Sequence, residues 1–109
     1  MATVRKTLGQ VAPTASSLTT LYTVPALTST VTSTLVVANL GANATRFRVA
    51  VRVAGTTVAD KDYVYYEIEI PGFDTFVSTL GMTLAATDVV SVYATAATLS
   101  FNLFGEESS

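Results

Sequence analysis

Residues 45–72 read TRFRVAVRVAGTTVADKDYVYYEIEIPG, two runs of period-two alternation around a polar loop. In the first run Phe47, Val49, Val51 and Val53 share one face of an extended chain, and Arg46, Arg48 and Arg52 share the other. In the second, Val64, Tyr66, Ile68 and Ile70 alternate with Tyr63, Tyr65, Glu67 and Glu69 before a stop at Pro71-Gly72. The two runs pair as an antiparallel hairpin that sets Arg48 opposite Glu67 and Arg46 opposite Glu69. The same register sets Phe47, Val49 and Val51 against Ile68, Tyr66 and Val64, whereas a slip of one residue would put valines opposite glutamates. Exposed ion pairs contribute only about 0.2–1 kcal/mol each, so burial sets this register and the charges agree with it. The connection AGTTVADK, residues 54–61, is long for a hairpin and predicts a contact loop, with Thr57 and Val58 near its centre.

The alternation continues outward in both directions. Short segments rich in Thr, Val, Tyr and Phe, punctuated by Gly, Pro, Asn or Asp, predict strands near 18–24, 30–39, 73–80, 88–95 and 98–104. Val31, Leu35 and Val37 fall on one face of their strand and Thr32, Thr34 and Val36 on the other. Pro25 closes the strand before it and places that strand at a sheet edge. Val49, Val51, Tyr66, Ile68, Val90, Val92, Leu99 and Phe101 are the expected core, and Asp at position 51 is expected to unfold the domain. Gly41, Gly55, Gly72 and Gly81 read as turn residues with positive φ, and Asp88 as a turn-holding acceptor of backbone N–H groups. Residues 1–15 predict an extended arm with a short strand at 6–11, offering Arg5, Lys6, Leu8 and Val11 for docking; residues 106–109 predict a fraying polar tail. Seven to eight strands and no helical segment predict an all-β domain over 16–105, a single two-sheet antiparallel β-sandwich.

A chain of 109 residues has room for one core. It is 50% hydrophobic and only 13% charged, with a formal net charge of −2. That charge attracts no polyanion, so nucleic-acid binding is not expected. Thr and Ser interrupt every apolar stretch before the roughly 20 residues of a spanning helix, so no membrane partner is expected, and the start MATVRKTLGQ lacks the apolar region of a secretory signal. There is no Cys and no His, which removes thiolates, Cys-based zinc sites and the usual general base. Glu67 and Glu69 stand about 6.5–7 Å apart on one strand face, a spacing that inverting glycosidases use, but an Arg opposite each lowers a pKa that acid catalysis needs raised. Asp60 and Asp62 open like a calcium loop, without the Gly and Glu that complete one, and read as a solvated turn. Neither an enzyme nor any cofactor is therefore expected. So few charges on so apolar a chain imply surface buried in an assembly. The alternative is a monomer made polar by its nineteen Thr and nine Ser. Tyr63 and Tyr65, beside the glutamates and arginines, form a strip suited to a protein contact, to stacking on sugar, or simply to cross-strand packing.

Three segments, LYTVP (21–25), LAATDVVSVYA (84–94) and LSFNLFG (99–105), stand within a likeness running from Leu8 to Glu107. The chain resembles small virion proteins of tailed bacteriophages and prophages, and the last two segments are also similar to the closing strands of jelly-roll trimers. These are strand patterns, not catalytic motifs. The resemblance implies a jelly-roll-like building block of the virion, made in the bacterial cytoplasm, homo-oligomeric and with a trimer favoured. Its partner would be the phage major capsid protein, bridged by a decoration or cement protein that stabilises the head; the alternative is a tail, collar or fibre component. From the residues themselves the candidate interface is Arg5, Lys6, Leu8, Val11, Arg46, Arg48, Arg52, Thr57, Val58, Tyr63 and Tyr65.

Overall fold

In the computed structural model, which describes residues 2–109, the Thr- and Val-rich segments form nine strands. They are β1 (Thr3–Val11), β2 (Thr19–Thr23), β3 (Ser29–Asn39), β4 (Thr45–Arg52), β5 (Tyr63–Ile70), β6 (Thr75–Ser78), β7 (Thr83–Leu84), β8 (Val89–Ala94) and β9 (Leu99–Ser108). Two single 3-10 turns, Val53–Gly55 and Asp60–Asp62, shape the loop between β4 and β5. Pairing is nested: β1 with β9, β2 with β8, β3 with β6 and β7, and β4 with β5, all antiparallel. The chain is thus one long hairpin with residues 53–62 at its tip. Rolling the hairpin lays β9 on β3 and β8 on β4, which gives two sheets, β1-β9-β3-β6 with β7 also on β3, and β2-β8-β4-β5. With β6 and β7 counted as one interrupted strand, this is an eight-stranded jelly roll, a β-sandwich as the alternation predicted.

The core lies between the sheets around Phe47, which is fully buried and meets Tyr65, Phe76 and Phe101 at ring distances of 6.2, 5.2 and 5.9 Å. Val49, Val90, Val92, Leu99 and Phe101 are buried as expected, and each such side chain contributes about 1.5–3 kcal/mol. Bulges alter the rest. The predicted β4–β5 register holds from Thr45 opposite Ile70 through Phe47 opposite Ile68, then slips. Glu67 takes a left-handed φ of 55° and inserts an extra residue, so Val49 meets Tyr65, not Tyr66. Tyr65 turns inward against Phe47 and Phe76, while Tyr66 and Val64 turn outward and are exposed. Val51 and Ile68 are only half-buried and Val53 leaves the strand into a turn. A second bulge, between Thr32 and Thr34, puts Thr30 and Thr32 inside and Val31 outside, opposite in sense to Leu35 and Val37.

The segment predicted as an arm is extended but not free. β1 pairs with β9 along its length, and Glu106, Glu107 and Ser108 of the predicted tail form the other half of that ladder. Ala2 and Ser109 close it with reciprocal backbone bonds of 3.0 and 2.9 Å. Side-chain patterning does not report which backbone groups will find partners, and without β1 the donors and acceptors along one side of β9 would have none.

Loops gather at two opposite ends. One end carries both termini and residues 24–28, 53–62 and 85–88, tied by the Asp88 carboxylate, which accepts from the N–H groups of Ala54 (2.9 Å) and Ala85 (3.0 Å). The other carries residues 12–18, 40–44, 71–74 and 95–98, where Leu40 donates to the Thr98 carbonyl and Phe73 to that of Gly41. Of the four glycines read as positive-φ turn residues only Gly55 is one, at 71°. Gly72 is required by contact instead, since a Cβ there would collide with the Ala42 carbonyl.

Candidate functional site

The outer face of the sheet β2-β8-β4-β5 carries the most organised surface chemistry. β4 alternation points Arg46, Arg48 and Arg52 outward, and β8 alternation points Tyr93 out between the buried Val92 and Ala94. Arg48 lies between two rings, its guanidinium carbon 4.5 Å from the Tyr66 centroid and 4.3 Å from that of Tyr93. Its Nε donates to Glu67 Oε1 at 2.9 Å and its terminal nitrogen forms an ion pair with the same oxygen. The Glu67 bond is the chief reason its pKa rises further above the ordinary arginine value. Arg52 donates to Ser91 Oγ at 3.1 Å and to the carbonyls of Gly55 and Thr56, both at 3.3 Å. Arg46 pairs with Glu69 at 3.5 Å, both half-exposed. Under this cover Ala50 and Ser91 are buried although they belong to the outer face.

Tyr63, opposite Ala50, meets Tyr66 edge to face at 5.1 Å and 78°. Together with Asp60 these rings line a recess of about 420 Å³. The paired acids of the loop do not converge: the Asp62 carboxylate turns back to accept from Ala59 N–H (2.9 Å) and Lys61 Nζ (3.2 Å). The Ala59 bond first, and then Lys61, holds that carboxyl below the usual range. Asp60 stays exposed at the mouth of the recess.

The structure therefore brings Arg48, Arg52 and Tyr63 together and takes Tyr65 away, its hydroxyl bonded to Ser78 across the core edge. Tyr66, Tyr93 and Asp60 were missed. Parity within DVVSVYAT marks Tyr93 as outward, but only the strand order sets it beside Arg48; the bulge at Glu67 that exposes Tyr66 leaves no trace in the alternation.

The remaining predicted interface residues lie elsewhere. Arg5 pairs with Glu106 and Lys6 with Glu107, each at 3.3 Å. Leu8 and Val11 pack half-buried against the core. Thr57 is exposed and Val58 half-buried on the β4–β5 loop. Where the bulges of β1 and β3 flank β9, Arg5, Val31, Ser33 and Phe104 help to line a second recess of about 520 Å³. A different feature marks the ends: Leu27, 92% exposed, and Phe73, 75% exposed, are the two most exposed large apolar residues among the described ones, and both adopt φ 58°. Leu27 sits on the β2–β3 loop and Phe73 on the β5–β6 loop, at opposite ends of the sandwich.

Among the described residues no group of three or more acidic side chains is placed to hold a metal ion, and no helix is long and apolar enough to cross a membrane. Comparison with known proteins gives no match to a family model, a curated protein or a solved structure.

Proposed function

We propose that this chain is a non-enzymatic structural subunit of a phage virion, a decoration or cement protein that bridges capsid subunits and stabilises the head. Leu27 and Phe73 carry this reading. A left-handed conformation costs a residue with a Cβ about 1–2 kcal/mol, and a side chain held out in water recovers none of it. Burial against a neighbour contributes about 1.5–3 kcal/mol per side chain of this size. Strained backbone that presents apolar groups is understandable at a contact site, and contacts at both ends suit a bridge between neighbours. Further support comes from Leu40 and Val53, exposed by 67% and 61% beside them in the same loop clusters. The virion as the assembly rests on the resemblance read in the LYTVP, LAATDVVSVYA and LSFNLFG segments alone. Several weak contacts made together hold a bound subunit far longer than any one of them.

The deciding experiment measures mass in solution by light scattering and copy number in purified particles by quantitative mass spectrometry. A trimer present in hundreds of copies per particle is the expected result. A low-copy oligomer would move the chain to tail, collar or fibre, a placement that the aromatic recess at Tyr63 and Tyr66 would suit as a host-attachment surface. A monomer absent from particles would overturn the proposal.

A further inference from the structure

Between Tyr63, Tyr66 and Asp60 we infer a binding site for a small organic cation bearing a quaternary ammonium group, independent of whether the chain assembles with others. Tyrosine faces attract cations through the ring quadrupole, and Tyr66 already does so toward Arg48 on one side. Tyr63 stands edge to face against it at 5.1 Å, so the two rings form two walls of a corner and not one flat platform. A pyranose stacks on a flat exposed ring face and needs several planar hydrogen-bonding side chains around it; this recess offers one carboxylate. A compact cation needs ring faces and a counter-charge, and the recess of about 420 Å³ has both.

Charge around the recess selects the sign of the ligand. Arg48 is neutralised by Glu67, and Lys61 reaches back to the Asp62 carboxylate. Arg52, which has no acidic partner, turns to Ser91 and the carbonyls of Gly55 and Thr56, while Asp60, with no salt-bridge or hydrogen-bond partner among the described residues, is the one charged side chain that lines the recess. A guanidinium carries five N–H donors and this recess offers them one carboxylate, whereas a trimethylammonium has none to satisfy, so the occupant is a small molecule bearing a quaternary ammonium.

The test follows the ring resonances of Tyr63 and Tyr66 by NMR in the full chain, titrated separately with choline, its neutral isostere 3,3-dimethylbutan-1-ol, N-acetyl-arginine amide and methyl glucoside. Saturable shifts at these rings with choline, and binding about tenfold weaker for the neutral isostere, are expected. Tighter binding of the arginine amide than of choline would overturn the assignment and point to a protein side chain as the occupant. Asp60→Asn and Tyr63→Leu should each weaken choline binding about fivefold to tenfold with the melting temperature unchanged. Equal binding of the neutral isostere, stronger binding of the glucoside, or no shift with choline would overturn it as well. So would choline shifts that persist undiminished in folded Asp60→Asn and Tyr63→Leu chains.

Discussion

Tyr22 shows how much one residue can tie together. It rises from β2 into the gap between the sheets, where its hydroxyl bonds Thr30 Oγ1 at 2.8 Å and donates to Glu107, which also holds Lys6. Burial first, then the Glu107 bond, pushes the Tyr22 pKa up to about 12. A folded-state pKa above the unfolded one contributes stability that is complete below pH about 10 and lost as pH rises toward 12. Tyr22→Phe should lower stability at neutral pH by about 1–3 kcal/mol, read by urea unfolding, and should flatten the alkaline limb of the melting curve. Glu107 has the opposite sign. The Tyr22 hydroxyl, and then Lys6, hold its carboxyl below the usual range, so its contribution is present above the ordinary carboxylate pKa and lost as pH falls through the depressed one. Glu107→Gln should therefore be less stable at pH 7 and lose less on acidification, checked by thermal melts across the acid range. In the core the decisive aspartate substitution belongs at position 49, since Val49 is fully buried and Val51 only half. Val49→Asp should abolish cooperative melting, because a lone carboxylate there has no partner and no water; circular dichroism reads the loss.

At the scale of the strand, alternation located most of the segments and stopped where the backbone departs from it. Each bulge adds one residue and reverses the side chains beyond it until the next shift, which is why Tyr65 and Tyr66 exchanged faces and Val31 parted from Leu35, while a further slip between Val49 and Ala50 returns Tyr63 to the outer face. β1 was the larger miss, because its side chains are mostly exposed and carry little pattern. Its role is in the backbone: it covers one side of β9, and Gly9 allows it to cross the Leu21 carbonyl where a Cβ would collide. Removal of residues 2–11 should therefore not leave the fold intact, as a free docking arm would. The truncated chain should melt lower and aggregate through the bared β9 edge, measured by size-exclusion chromatography and thermal scans against the full chain.

Across the whole molecule, the two ends of the sandwich carry Leu27 and Phe73, the most exposed large apolar side chains among the described residues, each at a left-handed φ. On the proposed assembly, Leu27→Ser with Phe73→Ser should leave the melting temperature within a few degrees of the parent while lowering the mass in light scattering to that of a monomer. An oligomeric mass unchanged by the pair of substitutions would sink the assignment of these two residues as contacts. The sheet faces fit this division of labour, since Arg46, Arg48, Glu67, Glu69, Arg5 and Glu106 are paired within the chain and its few charges are largely spent on one another.

Sequence alone determined the fold class, the strands of the central hairpin and the Arg46–Glu69 and Arg48–Glu67 pairs, because period-two alternation and opposite charge act between residues whose register one hairpin sets. It also carried the turn-holding role of Asp88, a local hydrogen-bonding habit of that side chain. Tertiary structure alone decided that Tyr93 would stand beside Arg48, that Tyr63, Tyr66 and Asp60 would enclose a recess, and that the first and last strands would pair. Those outcomes depend on how one long hairpin rolls and where an extra residue bulges. Both are settled by packing between segments far apart in the chain, around Phe47 and between β3 and β9, and no short stretch of residues records them.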